Sequence, residues 1–525
     1  MVHRRLLRVE KDIPERLLGL ACFVSLCSLV LVCTRKPLFS VALAAGSLLA
    51  LRRVSQEKFR FLRMHLHVYD FALMAQGRST ILFLFHTVPW LILGIFLRLA
   101  VSLVLLGLLL SRDRFLVPPL VACILLGGSL AATLLAWRRA PVPSFVGHFG
   151  DFRLTDFLRS IPEALQALGR GGVLTREAPK GELPRLDAEG PQEVPESCPT
   201  LLVILNESTF PPDLFQPTPI SPSRDAFFRS SDGRARQLRV ETFGGGTWMS
   251  AFSLMTGIPA STYGRFRAHV MRWSQGRIRH SLPATLKALG YRSVVLSPLG
   301  GDFVGEEPFY RSLGFDDFLD QKDLGTQGDR EPDAFYLSKA LDWLGDHFAH
   351  RDDPAFLFLM TMANHHPHGG EGAPFVDYLQ RLDGTAQAYQ AFKSSLADRF
   401  PDRAFLILHF GDHQPPFTWP ARDEVDWMNR VEGLPLEESA YRTYFAVDGV
   451  GFAPRQLDRM PDLLEVAYLG TALLSAAGLP LDAVHQLRRD LALRHSGRLF
   501  FADADGAMAR QFNQRLIEAG LLDAH

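Results

Sequence analysis

Apolar residues are distributed along this chain in two regimes. Over the first 140 positions they form long runs, at 17–33, 37–51, 81–110 and 116–137. A helix rises about 1.5 Å per residue and bilayer hydrocarbon is about 30 Å thick, so roughly 20 apolar residues cross it. The first two runs, joined by Thr34, Arg35 and Lys36, predict a helical hairpin with a basic tip. The third is interrupted only by His86, Pro89 and Arg98, and Arg138 and Arg139 mark the far end of the fourth. No small-residue cleavage site follows the first run and more spans do, which argues against a removed signal peptide. Residues 59–74, FRFLRMHLHVYDFALM, mix basic and apolar positions and read as an interfacial helix or a fifth crossing, giving four or five spans in residues 1–140. The basic loops disagree on orientation. Arg4, Arg5, Arg8, Lys11 and Arg16 favour a cytoplasmic amino terminus, whereas Arg35, Lys36, Arg112 and Arg114 favour the opposite.

The second regime follows a change of character over 141–198. An amphipathic piece there gives way to APKGELPRLDAEGPQEVPESCP, too poor in apolar residues to pack and therefore a linker. From 199 to 525, apolar runs of strand length alternate with helical patterns: TLLVILNES, RQLRVETF, YRSVVLSP, AFLFLMTMANHH, AFLILHFGDH and YRTYFAV. Runs apolar on both faces and separated by helices predict an α/β sandwich around a mostly parallel sheet. The expected architecture is thus an α-helical transmembrane domain followed by a water-exposed α/β domain.

Composition narrows the chemistry. The chain of 525 residues is 47% hydrophobic, more than one core accommodates. Lys plus Arg and Asp plus Glu each number 56, so nothing electrostatic points to a nucleic-acid partner. Cys22, Cys27, Cys33 and Cys123 lie in apolar runs and only Cys198 lies outside them. Neither a disulfide framework nor a zinc-finger spacing exists, so any metal must sit on oxygen and imidazole.

In open α/β sheets ligands collect at the carboxyl ends of strands, and the polar residues here follow that rule. One run ends in Asn206, Glu207, Ser208 and Thr209; another leads into Gly244, Gly245, Gly246 and Thr247; a third ends in Asn364, His365, His366, Pro367 and His368; a fourth in Gly411, Asp412 and His413. Each piece has a bland reading. Glu207 suits a solvated loop, GGGT a turn feeding an N-capping threonine, and an Asp–His pair a simple hydrogen bond. Four strand ends that each deliver a metal- or phosphate-competent side chain are harder to explain singly. Together they suggest carboxylates and an imidazole around a cation that activates a hydroxyl.

LVILNEST, GGGTWMSAFSLMTG, TMANHHPH and LHFGDHQPP, in that order, resemble the metal-dependent phosphoglycerol and phosphoethanolamine transferases of the alkaline phosphatase and sulfatase superfamily. The lipoteichoic acid synthase and periplasmic-glucan phosphoglycerol transferase branch is the most similar, over about residues 199–485. GFDDFLD at 314–320 looks like a further segment of that branch. The resemblance implies Glu207, Asp412 and His413 as ligands of one Mn2+ or Zn2+ ion, and Thr247 as ligand and nucleophile. It makes His365 a substrate-binding or proton-donating residue; His366 and Trp248 are further candidate substrate contacts, and His366 with His368 reads equally as a proton relay or as hydrogen-bond partners behind the metal site. It implies a phospholipid donor, a glycan or lipid acceptor and a phosphothreonine intermediate. The setting it implies is the bacterial inner membrane, with the catalytic domain periplasmic. One departure stands out: where that branch is expected to carry an arginine for glycerol phosphate, GGDFVGEEPFYRSLG places Glu306, a carboxylate better suited to an ammonium. The bland alternative makes Glu306 and Glu307 a solvated loop. The near absence of cysteine argues against the disulfide-rich ethanolamine enzymes. Two rival readings remain, a sulfatase-like hydrolase and a catalytically inactive sulfatase-fold sensor or adaptor. The first lacks a Cys-x-Pro-x-Arg-like setting after Gly246, and the second should show a broken ligand set.

Overall fold

The computed structural model of the chain describes residues 13–62, 64–73, 89–140, 154–174, 183–186, 198–215, 218, 221–326, 330–369, 374–418, 439–500 and 506–524. They fall into two compact units, the first reaching Gly169 and the second beginning at Arg170.

In the first unit, α1 (Ile13–Thr34) and α2 (Pro37–Leu62) form the expected hairpin, followed by α3 (Pro89–Arg112), α4 (Pro119–Arg139) and α5 (Leu154–Arg170). Four stretches are long and apolar enough to cross a bilayer: Ile13–Thr34, Pro37–Phe59, Ile92–Arg112 and Pro119–Arg139. Among the described residues there is no fifth. The segment at 59–74 instead completes α2 and then makes the short helix Tyr69–Leu73. Met74, residues 81–88 of the third run and most of the 141–198 linker lie outside the described residues. Leu93, Leu97 and Leu105 of α3 are exposed, an arrangement that costs free energy in water and none in hydrocarbon. Helices α1 and α4 are joined by a hydrogen bond between Ser25 Oγ and Thr133 Oγ1 at 2.9 Å, the kind of polar link that holds helices together in lipid. The basic tip docks on the α3–α4 loop: Val117 N–H donates to Arg35 O at 2.9 Å, Arg35 Nε donates to Val117 O at 3.1 Å, and Phe39 N–H donates to Asp113 Oδ2 at 3.0 Å. Both loops therefore share one end of this unit.

The second unit is built on one eight-stranded sheet: β1 (Thr200–Asn206), β2 (Arg236–Arg239), β3 (Arg292–Leu296), β4 (Asp317–Leu319), β5 (Ala355–Met360), β6 (Phe405–Gly411), β7 (Arg442–Val450) and β8 (Leu463–Glu465), in the order β4-β3-β5-β1-β6-β7-β2-β8. Every residue of β1, β5 and β6 is buried, which is why these strands are apolar on both faces. The sheet is parallel from β4 to β6, and β7 runs antiparallel to both β6 and β2. The expected strands all form. Two short ones, β4 and β8, carry too few residues to show a period in sequence. Helices α7 (Leu282–Ala288), α8 (Glu306–Ser312), α9 (Asp333–His350), α10 (Pro374–Arg399) and α11 (Leu469–Ala477) pack against the sheet, and α6 (Thr247–Thr256) and α12 (Ala483–Arg494) pack against α11. A core of Leu202, Ile204, Leu357, Leu359, Leu344 and Leu382 fills the space between the sheet and α9 and α10.

Candidate active site

Strand register sets the site. In the parallel pair β1–β6, Asn206 stands opposite Gly411, so the next residues, Glu207 and Asp412, leave the sheet side by side. Position 411 must be glycine: a Cβ there would lie 1.7 Å from Thr209 O, and the two strand ends could not approach. Ser208 adopts a positive φ of 51°, and its N–H donates to Asp412 Oδ1 at 2.8 Å while its hydroxyl donates to Glu207 Oε1 at 2.9 Å. Such backbone strain in a non-glycine residue persists where surrounding contacts hold it, here a bond to each carboxylate.

Thr247 is the first residue of α6. Gly246 precedes it with φ 87°, a conformation that glycine adopts without steric cost and that aims the threonine at the strand ends. The Thr247 hydroxyl donates to Glu207 Oε2 at 2.8 Å and lies 3.4 Å from His413 Nε2. His413 Nδ1–H donates to Gln414 O at 3.0 Å, which fixes the ring and turns Nε2 inward, 3.2 Å from Asp412 Oδ2 and 3.4 Å from Glu207 Oε1. Glu207, Asp412 and His413 are buried, and one ligand atom from each lies within 4.8 Å of the others.

The electrostatics describe a site short of positive charge. Burial and then the neighbouring Glu207 push Asp412 above the ordinary carboxyl range. Glu207 is also buried, but His413 beside it holds it below that range. Burial opposes a charge on His413, yet Asp412 and Glu207 raise it to about 9. Two buried carboxylates thus compete for one imidazolium. Asp412 Oδ2 is buried and accepts no hydrogen bond. A divalent cation relieves both conditions, and two carboxylates, an imidazole and a hydroxyl are a donor set that zinc and manganese accept, so these residues fit such an ion.

The other predicted positions spread around this centre. His365 is close enough for Glu207 to favour its charged form, although burial keeps its pKa below the usual value. Its loop is pinned from outside: Arg330 and Arg381 each donate to His365 O, at 3.2 and 3.1 Å. His366 is half-buried beside it. His368 is buried against Phe417 and Tyr378, its ring nitrogens without hydrogen bonds, and burial drops its pKa to about 3, so it packs as a neutral ring. Trp248 donates its indole N–H to Ala268 O at 2.9 Å and meets the Phe303 ring edge-on. Glu306 is not in a solvated loop. It is 3% exposed and accepts from Ser297 Oγ at 3.0 Å, and burial raises its pKa to about 7. Glu307 is the half-buried member of that pair, bridged to Arg311. The Gly244 N–H ahead of Thr247 donates to Gln414 O at 2.9 Å. Sequence reasoning gave no role to Ser208, Gln414, Arg330 or Arg381. Ser208 and Gln414 adjoin the motif carboxylate and histidine, but nothing in the one-dimensional pattern marks the two arginines.

Residues 234–440 match the Sulfatase family model, a span that includes Thr247, Asp412 and His413 and leaves Glu207 just outside. An uncharacterized protein of Haemophilus influenzae is 27% identical over 325 residues, covering 55% of this chain, and the chain spans 55% of that relative's length. Among solved structures, the phosphoglycerol transferase GacH of Streptococcus pyogenes in complex with sn-glycerol-1-phosphate aligns at 17% identity and TM-score 0.48, over 62% of this chain and 87% of that one. The lipooligosaccharide phosphoethanolamine transferase A of Neisseria meningitidis, an integral membrane protein, aligns at 10% identity and TM-score 0.45, over 88% and 95%. Four membrane-length apolar helices thus precede an α/β unit in which residues 234–440 match the Sulfatase family model.

Proposed function

We propose that this protein is a membrane-anchored, metal-dependent transferase that moves a phosphoglycerol or phosphoethanolamine head group from a phospholipid to a glycan or lipid acceptor through Thr247. The observation that carries the reading is the hydroxyl of Thr247, 2.8 Å from Glu207 and grouped with Asp412 and His413 at coordinating range. Glu207, Asp412, His413 and Thr247 would hold one Zn2+ or Mn2+ ion. When bound, that cation supplies charge that screens the phosphodiester and makes the threonine hydroxyl more acidic. Thr247 Oγ attacks phosphorus, its proton passing to Glu207, with which it already shares a hydrogen bond. The bond from phosphorus to the diacylglycerol oxygen breaks, and His365 gives the leaving oxygen its proton. An acceptor hydroxyl then attacks the phosphothreonine and gives its proton to His365, while the bond from phosphorus to Thr247 Oγ breaks and Thr247 Oγ takes back the proton held by Glu207. The intact ligand set favours an enzyme over a sensor. In the membrane, the end shared by the Arg35–Lys36 tip and the α3–α4 loop faces the cytoplasm. The catalytic unit then lies on the periplasmic side of a bacterial inner membrane. Incubating the purified chain with phospholipids labelled in either head group, followed by mass analysis of peptides spanning Thr247, tests the reading. A mass increment on Thr247 that identifies the head group is expected. A protein that turns over lipid with no label on that peptide defeats the covalent route.

A further inference from the structure

Away from Thr247, a second group of ligand-type side chains meets between segments more than 200 residues apart. His280 sits in the loop ahead of α7, Asp482 caps the amino end of α12, and His485 lies in the first turn of that helix. His280 Nε2 is 2.7 Å from Asp482 Oδ2, and the two imidazole centroids are 4.9 Å apart. One nitrogen of each histidine and one oxygen of Asp482 lie within 4.8 Å of one another, the same closeness as in the Glu207 cluster.

The arrangement has more than the minimum a helix cap needs. Asp482 Oδ1 already performs the capping role by accepting the His485 N–H at 2.9 Å, while Oδ2 faces His280 Nε2. Both His485 nitrogens are steadied by threonines, Nδ1 by Thr471 Oγ1 at 2.8 Å and Nε2 by Thr285 Oγ1 at 3.4 Å. Whichever nitrogen meets an ion, the other has a hydroxyl to fix ring orientation, as the outer partners of metal-bound histidines do. His280 is nine-tenths buried, and its Nδ1 has no hydrogen-bond partner.

We propose that His280, Asp482 and His485 form a second divalent-cation site, of the two-imidazole, one-carboxylate type that zinc accepts, tying α12 to the loop ahead of α7. The consequence for the domain runs through Arg488. One turn beyond His485, it donates to Thr256 O at 2.5 Å, at the far end of the helix that begins with Thr247, and lies over the Phe512 ring. Fixing α12 therefore steadies α6 from behind. The Arg488 charge and the single carboxylate make this the weaker of the two sites, so a chelator strips it before the Glu207 cluster.

The test is zinc stoichiometry of the purified full-length chain in detergent, after dialysis against buffered Zn2+. Asp412→Asn with His413→Ala disables the Glu207 cluster, and one equivalent should remain in that protein. Adding Asp482→Asn should remove it. Asparagine is as good a helix cap as aspartate, so this variant keeps the fold while losing the charge. Zinc should also raise the thermal transition of the Asp412→Asn, His413→Ala protein, and this rise should vanish with Asp482→Asn. A protein with the Glu207 cluster disabled that holds no zinc, or holds zinc unaffected by Asp482→Asn, overturns the proposal and leaves the trio as a hydrogen-bonded cap. The outcome is separable from the proposed function, because loss of metal from the Glu207 cluster alone lowers the wild-type stoichiometry without touching the equivalent lost with Asp482→Asn.

Discussion

Glu306→Gln isolates a single buried carboxyl and makes its cost measurable. In the native structure its pKa is raised from 4.5 to about 7 by burial, against the opposing pull of the Ser297 hydrogen bond. The folded chain therefore keeps a proton that the unfolded chain releases above about pH 4.5. Stability tied to this group is fully present below that pH and is lost as pH rises through 7. A shift of about 2.5 units at about 1.4 kcal/mol each corresponds to a penalty of about 3 kcal/mol above pH 8. Glutamine keeps an oxygen to accept from Ser297 and carries no charge, so it escapes that penalty. For a unit of roughly 350 residues the unfolding entropy is about 0.7 kcal/mol/K, which turns the gain into about 4 °C. Thermal unfolding of wild type and variant in detergent, from pH 4.5 to 8.5, should give nearly coincident midpoints at the acid end and a variant about 4 °C more stable at the alkaline end. A difference that does not change with pH would refute the reasoning. With its carboxyl closed off behind Ser297, the variant should also use phosphoglycerol and phosphoethanolamine donors in the wild-type ratio. A selective loss of the ethanolamine donor would instead place Glu306 against the head group.

Other perturbations address the site directly. Thr247→Ala should lower transfer by on the order of 10⁴-fold or more and leave no covalent adduct, read by intact-protein mass spectrometry after donor incubation. Asp412→Asn should weaken metal binding by about two orders of magnitude, measured by titration against a competing chelator; wild-type affinity in the variant would exclude Asp412 as a ligand. Gly411→Ala forces a Cβ to 1.7 Å from the Thr209 carbonyl, so the variant should lose about 4 kcal/mol or more and its metal together, seen as a lowered thermal midpoint and metal content.

Much of the architecture was legible because its causes are local. Membrane-length helices need only unbroken apolar runs, and buried parallel strands need only residues apolar on both faces, so α1 to α4, β1, β5 and β6 could be placed from composition along the chain. The grouping of polar side chains at strand ends was legible too, because strand ends are where the polar residues of an α/β fold emerge, and Glu207, Thr247, Asp412 and His413 do converge. What the sequence left open depends on partners distant along the chain. Whether Glu306 meets water or is closed off was set by Ser297 and the packing of α8, and periodicity does not encode either. The 59–74 segment carries enough apolar residues to suggest a span, and only the non-helical stretch at 64–68 ahead of the short helix Tyr69–Leu73 made it something else. The pinning of the His365 loop by Arg330 and Arg381, and the meeting of His280 with Asp482 and His485, arise from register and helix packing across the unit. A one-dimensional pattern fixes which faces must be buried, whereas the distances between side chains that make a ligand set follow only once the sheet has ordered its strands.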